Sequence, residues 1–333
     1  MTNGWPKLAV SLGLWQDRSP EEALQTARAA DDLGFAELWI GEMATFDVFA
    51  LATAVALQTE RIPLTVGPLA VAVRDPMMIA VGAASVAAIA GRPTDVAIGT
   101  SSPMVVEEWH GRDRARSLTA LRESACALRP LLAGDKAHVS GDVIRTSGYQ
   151  LRLPAPHSTV TVAAFGPSAV RVAARHGDRM VVSLVTVGAA ERLARSLRAE
   201  AQQAQRATPR LAAWIPVAVD GGDAAREQLR RTLVGYLAAP GYSDMFEEAG
   251  FPEIVALARR RPHPRDLLAA VPDELVDTVG VLGDASAVRR RLTDYAAHVD
   301  ELVILPCSTD NDPAGVRTLR TLADWAATSE EKM

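Results

Sequence analysis

Two rhythms of apolar residues alternate along this chain. Short runs rich in Val, Leu and Ile, bounded by Gly, Pro and Asp, predict strands. Longer stretches with apolar positions every three or four residues predict helices. The first strand falls at Leu8–Leu14, and Ser19 caps the helix after it, with Pro20 in the first turn and Glu22 spaced for a capping box. A second strand runs from Phe35 to Gly41 and closes on Glu42, and Asp47 starts a helix through Gln58. The third strand, Leu64–Val73, is interrupted by Gly67-Pro68, and Asp75-Pro76 opens the third helix. A fourth strand, Asp95–Ile98, enters Gly99-Thr100-Ser101-Ser102-Pro103 before a helix from Arg114 to Leu132. Residues 134 to 157 are polar and turn-rich, and alternation over Val143–Leu153 predicts a surface hairpin. A fifth strand from Val160 stops at Phe165-Gly166-Pro167, where a helix begins. Met180–Val185 and Leu211–Val219 are the sixth and seventh strands, each followed by a helix. Pro240–Pro272 is rich in Pro, Gly and Arg and reads as an irregular insertion. Asp284 caps the next helix, Glu301–Pro306 is the eighth strand, and Asp312-Pro313 caps the last helix. Strand then helix, eight times over, is the repeat of a parallel (β/α)8 barrel, here one domain over residues 1–333. A doubly wound sheet accommodates eight repeats poorly.

In such a barrel the ligand site is built from the C-terminal ends of the strands. That rule selects Trp15, Glu42, Gly67-Pro68-Leu69, Thr100 to Ser102, the run Glu107-Glu108-Trp109-His110, Ala164 to Ser168, Ser183 to Thr186, Cys307 and Ser308. Gly166 lets backbone approach a ligand closely, and the helix opening behind it presents N–H groups suited to a phosphate. Ser168 adds a hydroxyl, and Thr100, Ser101 and Ser102 add more from the neighbouring turn. Trp15, Trp39, Trp109 and Phe165 could wall a flat aromatic ligand, although core filling is the commoner fate of such residues. Arg112, Arg114 and Arg116 lie on the same face and could hold additional negative charge. Arg92 precedes the fourth strand and belongs to the opposite face. A carboxylate closing a buried strand needs a partner, so Glu42 is a ligand contact or the mate of an arginine such as Arg74. His110 and Glu108 are the candidate proton donors. Pro240–Pro272 reads as a lid that sets substrate choice, with Tyr242, Met245 and Phe246 as its apolar contacts.

Composition narrows the function classes. Net charge is −5, so nucleic acid and anionic membrane surfaces are not expected partners. The two cysteines, Cys126 and Cys307, form neither a disulfide framework nor a zinc site, and the six histidines make no metal set. Cys307 reads as a buried, inert thiol. With no signal segment and no apolar run of spanning length, the sequence reads as a soluble cytoplasmic protein. Neither a dinucleotide fingerprint, a phosphate-binding P-loop nor a serine-nucleophile elbow occurs.

Several segments carry a family resemblance: Leu33-Gly34-Phe35-Ala36-Glu37-Leu38-Trp39-Ile40-Gly41-Glu42, Arg74-Asp75-Pro76, Val96-Ala97-Ile98-Gly99-Thr100, Phe165-Gly166-Pro167 and Val299-Asp300-Glu301-Leu302-Val303. In order and spacing the chain resembles the luciferase-like flavin and deazaflavin oxidoreductases, especially the branch that uses coenzyme F420. The resemblance implies a (β/α)8 barrel, a homodimer, and F420, with FMN as the alternative. It implies a cis peptide bulge in the third strand at Gly67-Pro68, lying against the redox ring, and a cofactor phosphate held by Gly166, Pro167, Ser168 and Thr100 or Ser101. Glu42 corresponds to an acidic residue that contacts the ring. Several deazaflavin-dependent dehydrogenases have a histidine directly after it, where this chain has Met43. The expectation is therefore an F420H2-dependent reductase giving hydride to an activated double bond of a small molecule or peptide. A reduced-FMN monooxygenase and a non-catalytic flavin- or deazaflavin-binding protein are the alternatives.

Overall fold

In the computed structural model, residues 6–13, 18–42 and 44–330 are described, the side chains of 327–330 excepted. The elements in chain order are β1 (Lys7–Ser11), α1 (Pro20–Asp32), β2 (Leu38–Ile40), α2 (Val48–Ala56), β3 (Leu64–Ala70), α3 (Pro76–Ala90) and β4 (Thr94–Gly99). A π-helical turn (Met104–Trp109) precedes α4 (Ser117–Ala133), and β5 (Ala137–Ser140) and β6 (Arg145–Tyr149) form a hairpin. Then come β7 (Val160–Ala163), α5 (Pro167–His176), β8 (Arg179–Ser183), α6 (Val187–Gln203) and β9 (Arg210–Val219). Helices α7 (Gly222–Val234), α8 (Tyr242–Glu248), α9 (Pro252–Arg259), α10 (Pro264–Ala270) and α11 (Asp273–Val279) follow in succession. The chain ends with β10 (Val281–Gly283), α12 (Ala285–Ala296), β11 (Glu301–Pro306), a short 3-10 turn and α13 (Val316–Glu330).

The main sheet has nine strands in the order β10-β9-β11-β1-β2-β3-β4-β7-β8, with β9 also paired to β8. Eight of them are the eight predicted strands, and β10 is an extra short strand beside the far end of β9. This is the strand order of a (β/α)8 barrel. The strands are parallel and their side chains almost wholly buried, which is why they read as continuous apolar runs rather than alternating ones.

Most helix starts follow their sequence signals. Asp47, Asp75 and Asp284 each accept a backbone N–H in the first turn of the helix they open. Ser19 caps α1 through Glu21 N, but no capping box forms. Glu22 instead accepts from Arg18 and from Ser308 Oγ, because tertiary partners reach its carboxylate. A second correction concerns Pro240–Pro272. It is largely helical, not irregular: Pro252 and Pro264 stand in the first turns of α9 and α10, where the missing N–H costs nothing, and Pro272 is the N-cap of α11, so these prolines start helices instead of breaking them.

The chain divides into two compact units, Ala36–Val181 with Leu193–Leu211, and the remaining described residues. In the first unit, Arg179 is buried with Glu37 in a two-pronged ion pair of 2.6 and 2.8 Å. Arg179 also donates to Thr161 Oγ1 at 3.0 Å and Thr65 Oγ1 at 3.2 Å, and its guanidinium stacks 4.3 Å from the Trp39 ring centroid. These groups sit at the N-terminal ends of β2, β3, β7 and β8, where a barrel is structural. Arg92 joins that end by donating to Ile62 O at 2.8 Å.

The β5–β6 hairpin is held by one carboxylate. Glu123 on α4 is buried and accepts the N–H groups of Asp142, Val143 and Ile144 at 3.0, 2.9 and 2.9 Å. Burial pushes its pKa up, but the three donors outweigh that and hold it below the usual glutamate value of 4.5. A depressed folded-state pKa means stability that is fully present above pH 4.5 and lost as pH falls through the lower folded value. Hydrogen exchange over residues 141–144 is expected to accelerate below pH 4.5, beyond its intrinsic pH dependence, ahead of β3 and β4. Equal protection of hairpin and strands down to the acid transition would refute this.

Second in the fold comes the unit of the remaining residues, where α7 to α11 lie. Met245 and Phe246 are buried within it, so they are core residues and not exposed contacts of a lid. Tyr242 packs its ring 4.8 Å from that of Tyr236 and hydrogen-bonds Ser183 at the end of β8, and burial raises its phenol pKa well above the ordinary value. Cys307 is buried as expected, and burial pushes its thiol up to about 12. Among the described residues no helix is long and apolar enough to cross a membrane.

Candidate functional site

Of the strand-end residues expected to form a site, those after β2, β3, β4 and β7 lie in the first unit, whereas Ser183 to Thr186, Cys307 and Ser308 belong to the other. At β3 the peptide Gly67-Pro68 is cis, and the register against β4 shifts between Val66 and Leu69, giving the expected bulge. Gly67 has φ +111°, and a Cβ there would collide with the carbonyl of Ala97, so the sequence has no alternative to glycine. Beside it Gly99 closes β4. A Cβ on Gly99 would lie 3.2 Å from Ala163 Cβ and 3.8 Å from Pro68 Cβ. Pro68, Gly99 and Ala163 thus make a floor of small residues across three neighbouring strand ends.

Beyond β7, Gly166 is the N-cap of α5 with ordinary φ −75° and ψ 157°. No side chain caps this helix, and the position of a Cβ on Gly166 is open, with nothing within 4 Å. Gly166, Pro167 and Ser168 are exposed, Phe165 is half-buried and Ala164 is buried. An uncapped helix start with free space in front of it is what an anion requires. Beyond β4, Ser101 adopts φ +56°, and Arg114 donates to its carbonyl at 2.7 Å and to Thr100 Oγ1 at 3.4 Å. Ser102 Oγ accepts Val105 N at 3.3 Å and starts the π-helical turn. Of the three arginines, Arg114 is thus the one fixed at the strand end, whereas Arg112 and Arg116 are exposed. The same turn carries Glu108, Trp109 and His110, all exposed.

Glu42 is paired, as one of its two expected roles required. Arg74 Nε donates to its two oxygens at 2.8 and 3.1 Å, Arg74 Nη2 to Glu42 and to Asp47, and Val48 N adds a bond of 3.4 Å. Hydrogen bonding to Glu42 raises the Arg74 pKa. Burial pushes Asp47 up, but its bonds from Ala50 N and Arg74 bring it below the usual aspartate range.

Trp39 is fully buried under Arg179 and cannot wall a ligand at the strand tips. Trp15 and Met43 lie outside the described residues. The Arg179–Glu37 pair was missed at the level of sequence. Its signal was there, since each residue is a charge directly at the entrance of a buried strand. Among the described residues no group of three or more His, Cys, Asp or Glu could hold a metal ion.

Comparison with known proteins bears on the family and the fold. Residues 7–301 match the family model described as luciferase-like monooxygenase. A Mycobacterium tuberculosis protein provisionally named a coenzyme F420-dependent oxidoreductase is 24% identical over 336 residues, covering 91% of this chain and 96% of that protein. The solved coenzyme F420-dependent tetrahydromethanopterin reductase of Methanopyrus kandleri superposes with a TM-score of 0.82 at 17% identity, covering 97% of this chain and 99% of that one. An F420-dependent secondary alcohol dehydrogenase, solved with an F420-acetone adduct, gives 0.79 at 17% identity, over 96% and 99%. At these identities the two structural likenesses establish the fold.

Proposed function

Because the chain belongs to the luciferase-like monooxygenase family, we propose that it is a coenzyme F420-dependent oxidoreductase, working as a reductase on an activated double bond of a small molecule or peptide. The observation that carries this reading is the open, uncapped start of α5 beside the small-residue floor at Pro68, Gly99 and Ala163. An anionic tail and a flat ring fit those two features. Gly166, Pro167, Ser168, Thr100 and Ser101 would hold the phosphate, with Ala164, Phe165, Ser102 and the exposed Arg112 nearby. Gly67, Pro68 and Leu69 would support the ring. The deazaflavin, when bound, supplies a ring carbon that carries hydride.

The chain's own residues do the remainder. Arg74, by clamping Glu42 from one side, fixes a carboxylate at the end of β2 as a positioned acceptor. Proton delivery falls to Glu108, His110 or solvent, since Met43 stands where related dehydrogenases have a histidine. The bulge at Gly67-Pro68 positions the backbone of β3, and burial of the strands below excludes water from that side.

The test is differential. F420 is expected to raise the melting temperature of the purified chain, and bound F420H2 is expected to be oxidised faster when activated alkenes are added. Tight FMN binding with no response to F420 would move the assignment to a reduced-FMN monooxygenase. F420H2 that no activated acceptor oxidises faster would indicate a binding protein.

Homodimer formation belongs to the same reading. Helices α2 and α3 contain no charged residue, and Leu57, Met78 and Ile89 on or beside them are exposed at 72%, 55% and 51%. Helices apolar all round are normally covered. Ile89→Asp is expected to convert the dimer to a monomer by light scattering; an unchanged mass would place the contact elsewhere.

A further inference from the structure

One cluster outside the candidate site combines a nucleophile, a base and a field. Cys126 on α4 is exposed, and its Sγ lies 3.3 Å from Nδ1 of the half-buried His176, the last residue of α5. Arg122, Cys126 and Arg129 stand at i, i+4 and i+7 and share one stripe of α4. Arg129 donates to the His176 carbonyl at 3.3 Å and to Asp178 at 2.6 Å, which ties the end of α5 to α4. Arg206 donates to Ala174 O at 3.2 Å, and Arg175 adjoins the histidine. Four arginines thus act on the pair; Arg122 and Arg129 are ion-paired with Glu123 and Asp178 at 3.2 and 2.6 Å, so the net positive field comes chiefly from Arg175 and Arg206.

From this geometry we infer that Cys126 is a thiol-modification site selective for small anionic disulfides, with His176 as its base. Such a selectivity follows from the arginines, which attract carboxylate-bearing reagents and repel cationic ones. Burial raises the Cys126 pKa, and burial with the four arginines lowers that of His176, so the resting pair is neutral thiol and neutral imidazole. Both shifts keep the proton on sulfur at rest, so the imidazole takes it only as the sulfur attacks, and the exchange as a whole releases none. In the step, Sγ–H passes its proton to Nδ1 and the sulfur attacks one sulfur of the disulfide. The Cys126 S–S bond forms as the reagent's S–S bond breaks. The departing thiolate takes the proton from His176, so the protein gains a mixed disulfide and one free thiol leaves. Cys307, buried and inert, is the internal control.

Glutathione disulfide and cystamine are suitable probes, one anionic and one cationic, added to the full-length chain and followed by intact mass and peptide mapping. Glutathione disulfide is expected to give a single adduct at Cys126, reversible by dithiothreitol and formed about tenfold faster than the cystamine adduct, the difference shrinking with salt. In His176→Gln the glutathione adduct should form about tenfold or more slowly. Equal rates for the two probes on the unmutated chain, an adduct at Cys307 in place of Cys126, or an unchanged rate in the folded His176→Gln variant would each overturn the assignment. The probe comparison requires no variant, so a folding defect in His176→Gln does not shield the idea.

Discussion

Gly166→Asp is expected to weaken F420 binding about a hundredfold, close to 2.7 kcal/mol, while making the fold slightly more stable, by roughly a few tenths of a kcal/mol. The two effects have opposite signs for one reason. Position 166 is the N-cap of α5, its φ and ψ suit any residue, and there is open space where the new side chain would go. Aspartate is a preferred N-cap and stabilises a helix start by a few tenths of a kcal/mol over glycine, roughly. The same carboxylate would occupy the anion position and repel a phosphate. Two unit charges about 5 Å apart at an effective dielectric of about 20 repel by roughly 3 kcal/mol, ample for the predicted loss. Fluorescence titration with F420, alongside thermal melts, checks both halves. An unchanged affinity would mean that the phosphate does not sit at α5, and the functional reading would lose its main support.

Arg179→Met should cost about 3–5 kcal/mol of unfolding free energy, because it strands a buried carboxylate. Arg179 and Glu37 have side-chain exposures of 1% and 3%, and both prongs of their pair are short. Removing Arg179 leaves the Glu37 carboxylate in a low-dielectric interior without the guanidinium that pairs with it, and with the Asp95 carboxyl close enough to interact electrostatically. Replacing both, as Glu37→Leu with Arg179→Met, is expected to cost less than Arg179→Met alone, since no charge is then left behind. Urea unfolding of the two single variants and the double variant measures the coupling. A single variant within about 1 kcal/mol of the parent would show that water or another charge compensates the remaining group.

Which of these positions could be read without coordinates depends on whether their role is local. The start of α5 was legible, because Phe165-Gly166-Pro167 is a strand end, a permissive cap and a first-turn proline in immediate succession. The helix caps at Asp47 and Asp75 were legible for the same reason. The bulge at Gly67-Pro68 was legible through resemblance, and the collision of any Cβ at Gly67 with Ala97 explains why glycine stands there. Glu22 shows the limit. Its spacing from Ser19 satisfied a local rule, yet Arg18 and Ser308 claim its carboxylate. Pro240–Pro272 shows another: proline and glycine content suggested irregular chain, but proline in a first turn starts a helix as readily as it breaks one.

By itself the sequence determined the alternation of strand and helix, the order of the eight strands along the chain, and which turns fall at their C-terminal ends. Those follow from periodicity and from short-range stereochemistry. Only the tertiary structure decided which ionisable groups far apart in sequence meet. Glu37 and Arg179 are 142 residues apart and Cys126 and His176 are 50 apart, while for Glu42 the structure shows the pairing with Arg74 that the sequence had left as one of two roles. No local pattern encodes such pairs, because each is set by which strands and helices become neighbours when the sheet forms.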